Sequence, residues 1–391
     1  MSTLKVDAIR HNSATSDAIT TAADGTCTAK LTSVNGGQLS HRNIIINGAM
    51  TVAQRSSGTV AVSDGSNESY QTLDRFKFGF GNSAAGAANI SQSTDAPTTL
   101  GFTKSHKTDV TTVNTTASGQ QIINIEYHIE GQDLRNSGWN HLSSSSFLTL
   151  SFYFKTTKTG TSKLPIMFRT RHGTNYYYVK NVTVTDPTNW NRYTVKVPGN
   201  SNLTINDLTT SGMSLNITYY SGPDKDTSSE GSWGSTNAYS TSESTNYFDS
   251  TSNDMFITGV QLEVGETATS FEHRSFADEI QRCQRYYEKS YKYADAPGTS
   301  TDSGSVMFLT NRSPGTAHTM LRYMTRKRAA PTLVSYDPTQ SNTTGMRNLD
   351  ANATYSYSMN RNGETGCTAY PSGSLNLGQF IQFHYTADAE L

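Results

Sequence analysis

Along most of the chain, apolar side chains recur at alternate positions in short runs, and the runs are separated by clusters of Gly, Asn, Ser and Pro. Ile123, Ile125, Tyr127 and Ile129 alternate with Asn124, Glu126, His128 and Glu130. Leu148, Leu150, Phe152 and Phe154 repeat the pattern, as do Tyr193, Val195 and Val197, then Met213, Leu215, Ile217 and Tyr219, and finally Phe256, Thr258, Val260, Leu262 and Val264. Successive strand residues point to opposite faces, so each run predicts a half-buried strand with these residues inward. No helix-length periodicity separates the runs, which excludes βαβ units and predicts a β-sandwich or jelly roll over 41–275. Between Asp224 and Ser252 lies a long polar stretch relieved by Trp233, Tyr239, Tyr247 and Phe248, read either as a functional or interfacial loop or as a mobile insertion.

One helix is predicted, from Ser275 to Tyr291 within a connecting segment 276–293. Ser275 and Asp278 make a capping-box-like start, and Phe276, Ile280, Cys283 and Tyr287 form an apolar stripe suited to a neighbouring subunit. Glu279, Arg282, Arg285 and Glu288 fall on its polar face. Residues 294–391 return to strands as a smaller C-terminal β domain, poor enough in apolar residues that it is expected to close its core against copies of itself. Residues 1–40 are polar with isolated apolar positions at Leu4, Val6, Ile9, Ile19, Leu31 and Val34. Such a segment cannot offset its ordering entropy alone. It is read as an extended N-terminal arm that anchors on other chains, with folding back onto its own domain as the alternative.

Composition sharpens the fold class to all-β. Hydrophobic residues make up 34% and charged residues 16%, both low, and Ser, Thr, Asn, Gly and Tyr fill the difference. A disordered polyelectrolyte needs more net charge, and a helical bundle more Ala, Leu, Glu and Lys. The net charge of −1 provides no field for phosphate backbones, so no nucleic-acid partner is expected. The basic cluster from Arg322 to Arg328 reads as a solvated strand end or an inter-subunit contact. No stretch approaches the ~20 apolar residues that cross a bilayer, and the N-terminus has no signal-peptide h-region. Cys27, Cys283 and Cys367 are far apart and predict neither a disulfide framework nor a zinc site, which suits manufacture in a reducing cytoplasm.

Candidate chemistry is sparse. No nucleophile elbow, zinc-helix motif, P-loop or dinucleotide fingerprint is present, and no two histidines stand at a chelating spacing, so neither enzyme activity nor a cofactor or metal is expected. Glu126 and Glu130 are spaced to meet as paired carboxylates but read more simply as solvent-facing strand residues. Asp224 and Asp226 flank Lys225 in a polar loop where a calcium ion is conceivable. Aromatic rings supply the one binding hypothesis, because flat rings stack on sugars. Trp139, Tyr176, Tyr178 and Trp233 are the candidate glycan contacts. The competing reading, which is preferred, places these rings in the sandwich core or between subunits; Trp190 is read as core.

Three segments carry a resemblance. Asn43-Ile-Ile-Ile-Asn-Gly-Ala-Met50 with Gln54-Arg55 resembles the opening of many phage tail-fibre domains. Tyr70-Gln-Thr-Leu-Asp-Arg-Phe-Lys-Phe78 resembles the strand that follows, with Phe76 where Trp is more usual. Gly259-Val-Gln-Leu-Glu-Val-Gly-Glu-Thr-Ala-Thr-Ser-Phe-Glu-His-Arg-Ser-Phe276 with Gln284-Arg-Tyr-Tyr-Glu288 is similar to a signature of tail-fibre and related virion proteins. Met1 to Ile9 and Tyr385 to Leu391 also look like termini of marine and cyanophage fibre proteins. The resemblance implies a jelly-roll domain, trimeric assembly in the virion tail, attachment to a tail adaptor or nozzle protein, host adsorption through a surface glycan, and no catalytic residues. A capsid fibre, knob or baseplate accessory without receptor contact is the alternative within a virion; a monomeric carbohydrate-binding module is the alternative outside it. From the residues alone, Phe271 is expected to plug the base of the sandwich, and Asp74 with Arg75 reads as an ion pair fixing strand register.

Overall fold

In the computed structural model, which describes residues 6–10, 12–13, 18–23, 27–29, 41–63, 69–114, 119–310, 318–373 and 375–391, the alternating runs are antiparallel strands. Near the start, β1 (Ala8–Ile9), β2 (Ile19–Thr21) and β3 (Cys27–Ala29) pair in that order, so the arm there is a small sheet rather than a bare extended segment. Val6 and Ile9 are exposed and Ile19 is half-buried, while Leu4, Leu31 and Val34 lie outside the described residues.

The central block begins with β4 (Val60–Ser63), β5 (Phe76–Gly81), β6 (Ala87–Ser93), β7 (Ser105–Thr112) and β8 (Ile122–Glu130). A short helix α1 (Gly131–Arg135) leads to β9 (Phe147–Thr156), β10 (Ser162–Thr170), β11 (Tyr177–Val184), β12 (Asn191–Pro198) and β13 (Ser211–Ser221). The block closes with β14 (Trp233–Gly234) and β15 (Asp254–Val264). Two six-stranded sheets result, in the orders β14-β11-β10-β13-β8-β5 and β12-β9-β15-β7-β6-β4. The chain passes repeatedly from one sheet to the other, which makes the block a jelly-roll sandwich. Between the sheets lies one large apolar core, holding the predicted inward residues of β8, β9 and β13.

The last strand departs from simple alternation. Met255 and Ile257 face the core, then Val260 and Leu262, whereas Phe256 lies outside it. Pairing with β9 skips between Thr258 and Gln261, and Gly259 in the skip has φ +61°. This is a β-bulge, in which one extra residue reverses the faces of everything before it. A Cβ at Gly259 would fall 2.8 Å from the rings of both Phe102 and Tyr153. Phe271 packs there too, 4.9 Å from Phe102, and so covers the outside of the sheet instead of plugging the sandwich.

The long polar stretch is a folded insertion. Tyr247 and Phe248 enter the sandwich core at 0% exposure, and Ala238 and Tyr239 cover Ile122, Met167, Tyr177 and Val179 on the outer face of the first sheet.

The predicted helix starts as expected, with Ser275 Oγ accepting from Asp278 N at 3.2 Å, but α2 spans only Phe276–Gln284. Tyr287 opens β16 (Tyr287–Lys289). Then follow β17 (Val306–Leu309), β18 (Thr319–Arg322), β19 (Thr332–Tyr336), β20 (Met346–Asn348), β21 (Ala353–Tyr355), β22 (Tyr357–Asn360), β23 (Gly366–Pro371) and β24 (Phe380–Asp388). Strand β24 is the spine of this second unit and pairs with β16, β17, β19 and β20. Contrary to the expectation of a core left for other copies to close, the unit has a core of its own around Met346, Ile381, Phe383 and Ala387, each at 0% exposure.

Within the sandwich, His106 on β7 lies parallel to the ring of Phe78 at 6.0 Å and is 1% exposed. Burial pushes its pKa down to about 4. In the unfolded chain the imidazole protonates near its ordinary value, and in the folded chain only near 4. Its contribution is therefore complete above about pH 6.5 and is lost as pH falls towards 4. Urea titrations across that window should show an acid limb worth roughly 3 kcal/mol. The limb should flatten in His106→Gln; an unchanged limb would remove His106 as its cause.

Candidate functional site

The three segments that carry the resemblance meet in one place. Asn43 donates from Nδ2 to Val260 O (3.1 Å) and accepts on Oδ1 from Leu262 N (3.0 Å), which joins the opening segment to β15. Asn47 donates to Val52 O at 2.8 Å and Asp74 O at 2.9 Å, and accepts from Val52 N at 2.9 Å. Its own N–H donates to Glu279 on α2. Gly48 packs its Cα against Val260, where a Cβ would come 2.0 Å from the carbonyl oxygen. In the long signature, Gln261 accepts from Glu272 N (2.8 Å), Glu263 accepts from Thr269 N (2.9 Å), and Arg274 donates to Ile45 O (3.1 Å) and to Asn43 O. The polar residues of these motifs are spent on bonds within the chain.

The remaining motif residues clamp the sandwich to the C-terminal unit. Arg75, with φ +73° and 1% exposure, stands 3.4 Å over the ring of Tyr286 and donates to Glu390 and to His128 O (2.6 Å). Arg55 stands 3.7 Å over Tyr287, pairs with Asp388 at 2.9 Å and reaches Glu390 at 3.5 Å. Asp74 accepts from Gln54 N at 2.9 Å and lies 3.9 Å from Arg55. So Asp74 and Arg75 do not form the expected mutual ion pair; each turns to a different segment. Burial pushes the Asp74 carboxyl up to about 6 against the pull of Arg55 and the Gln54 hydrogen bonds.

The predicted stripe and the basic cluster are also absorbed here. Cys283 and Tyr287 are buried within the chain and so are not available to a second subunit, since Tyr287 belongs to a strand; Ile280 is half-buried. Phe276 is 49% exposed and packs edge-on against Tyr293. Lys327 of the basic cluster is 0% exposed and pairs at 2.6 Å with Glu288, which also accepts from Tyr385 at 2.9 Å. Arg328 donates to Glu390 O at 2.5 Å and to Ala389 O. Arg322, exposed at the end of β18, matches a solvated strand end, and the exposed Arg326 pairs with Glu364.

Of the candidate glycan contacts, Trp139 and Tyr178 are 4% exposed core residues, and their polar ends are satisfied by Ser146 O and Lys196 O. Tyr176 and Trp233 are half-buried against the same core, Trp233 with its ring 5.5 Å from that of Tyr178. Between Tyr176 and Tyr178, the intervening Tyr177 faces the other side of the sheet and contacts Arg169 across the strand pair. Alternation required one ring on the opposite face but left the parity open. Trp190 is not core: its indole donates to Asp95 at an exposed site.

Glu126 and Glu130 are buried rather than solvent-facing, and they serve different partners. Glu126 sits among Arg171, Lys77 at 3.5 Å and His128 at 3.3 Å. Burial opposes its charge, but the His128 hydrogen bond and these neighbours hold the carboxyl well below the usual range. Glu130 takes Arg285 in a bidentate pair at 2.8 and 2.9 Å and Tyr286 at 2.5 Å. Asp224 accepts from Gln120 and Asp226 from Ser240. Among the described residues no three His, Cys, Asp or Glu side chains gather at a metal-holding distance.

Beside the clamp opens a cleft of about 350 Å³ between the opening segment, α1 and α2. Ile44, Ile46 and Val264 form its apolar wall, and Arg42, Arg282 and Arg285 reach it.

Neither the protein-family models nor the curated proteins contain a match to this chain. Solved structures give distant likenesses. The enzymatically active domain of bacteriophage CBA120 tailspike protein 4 has a TM-score of 0.28 at 12% identity over 57% of this chain, which spans 21% of that one. A family 22 carbohydrate-binding module of Clostridium thermocellum Xyn10B gives 0.28 at 10% identity, over 61% of this chain and 98% of the module. A family 30 carbohydrate-binding module gives 0.27 at 13% identity, over 58% and 96%. Likeness of this depth carries nothing about function.

Removing one partner of a buried ion pair leaves an uncompensated charge, at about 3–5 kcal/mol. Arg75→Met should lower unfolding stability by that order in urea titration, and adding Glu390→Gln should restore a large part. Additive losses in the double variant would refute the pairing.

Proposed function

We propose that this chain is a non-enzymatic structural subunit of a phage tail-fibre-like assembly, a homotrimer held to the tail through residues 1–40 and directing its β domains at a host surface glycan. The resemblance supports the class. Support for self-association comes from the C-terminal unit, where Met307 and Leu309 of β17 and Phe380 of β24 are 57%, 50% and 44% exposed. Leu309 pairs directly with Phe380, and Met307 with Gln382, so the four lie on one sheet face. Leu349 continues the row, its N–H bonded to Phe380 O, at 41% exposure.

This face is the observation that carries the reading. Arg347, opposite Gln382, and Asp350 border it, but Arg347 is bonded to Asn352 and Asp350 accepts from Phe380 N at 2.6 Å, so both charges have partners within the chain where a copy would meet the apolar residues. Contiguous apolar patches of a few hundred Å² mark interaction sites more often than chance. The convergence of the motifs on internal bonds supports a role in construction, not in chemistry.

Light scattering of the purified chain should report three times the monomer mass. Leu309→Glu with Phe380→Asp should return it to a monomer whose circular dichroism matches the parent. A parent that is monomeric at micromolar concentration, or a double variant that still trimerises, would sink the assembly reading. Antibodies against the chain should label tails of purified particles, and capsid or baseplate labelling would move it to the alternative virion position.

A further inference from the structure

Three guanidinium groups reach the cleft between the opening segment and α2, and they are not equivalent. Arg285 is satisfied by its bidentate bond to Glu130, and Arg282 by Asp278, 3.2 Å from its Nε. Arg42 faces no carboxylate. Its guanidinium makes one bond, a 3.5 Å contact from Nη2 to Ser270 O. Its other Nη donors have no acceptor among the described residues, although the Asp133 carboxylate lines the same cleft. What it lacks is an anionic acceptor.

The rest of the cleft narrows the class. A bare inorganic anion needs only donors, yet one wall of the cleft is aliphatic: Ile44, Ile46 and Val264 form a surface against which a C–H-rich ring can lie. The exposed Asp133 at the rim accepts hydrogen bonds, which the several hydroxyls of a sugar supply. The volume of about 350 Å³ is of the size that encloses one sugar residue. We infer that this cleft binds an acidic sugar residue, its carboxylate on Arg42 and its ring against Ile44 and Val264. The site is complete in a single chain, so it does not depend on the assembly reading.

Titration of the full chain at low salt with D-glucuronate, D-glucose and inorganic phosphate, followed by calorimetry and by the arginine Nε–H resonances, tests the assignment. Glucuronate should saturate and shift the Arg42 Nε–H signal, with glucose and phosphate each at least tenfold weaker. Arg42→Gln should lose at least tenfold in glucuronate affinity with melting unchanged, because its guanidinium has only that one long bond to lose. Arg42→Lys, which keeps charge but not the planar guanidinium fork, should lose affinity too. Phosphate binding as tightly as glucuronate, no saturation by millimolar glucuronate, or full affinity in both variants would overturn it. A trimer indifferent to glucuronate defeats this inference alone, and a glucuronate-binding monomer defeats only the assembly.

Discussion

Two guanidinium groups, Arg55 and Arg75, hold the molecule together by being buried. A guanidinium out of water is tolerated only when carboxylates and ring faces replace its hydration. Tyr286 and Tyr287 provide the faces, and Asp74, Asp388 and Glu390 the charges. Those partners come from the sandwich, from the segment after α2 and from the end of β24. Satisfying the two cations therefore fixes how the second unit sits on the first. The 0%-exposed Lys327–Glu288 pair repeats the device inside the C-terminal unit, where burial lowers the lysine pKa against the pull of its partner.

Seen this way, the motif residues have a common explanation. Asn43, Asn47, Gln261, Glu263 and Arg274 satisfy backbone groups at places where strands end and ladders cannot continue. Gly48 lets two such segments touch. The C-terminal unit, with the smaller core, takes part of its support from this lattice, and still leaves Met307, Leu309, Leu349 and Phe380 exposed.

What was legible beforehand followed the range of the interactions. The strands of β8, β9 and β13 and their inward residues were readable because alternation is local and one buried face enforces it. Strand β15 misled because a single bulge at Gly259 inverts the pattern, and a glycine in a strand does not announce whether it bulges or merely packs. The preferred core reading of Tyr176 and Tyr178 holds, while period two states only that faces alternate, never which face is inside. The helix was read too long because Arg285 to Tyr287 keep the 3.6 spacing while their side chains find Glu130, Arg75 and Arg55 instead of a neighbouring helix.

By itself, then, the sequence determined the all-β class, the sandwich core and the start of α2, since these depend on residues within a few positions of one another. Only the tertiary structure decided where the charges go. Arg75 finds Glu390 across 315 residues, and Asp74 turns from its neighbour to Gln54 and Arg55. Burial makes any unpaired charge costly, so each pairs with whatever the folded chain brings near, and no local pattern encodes that encounter.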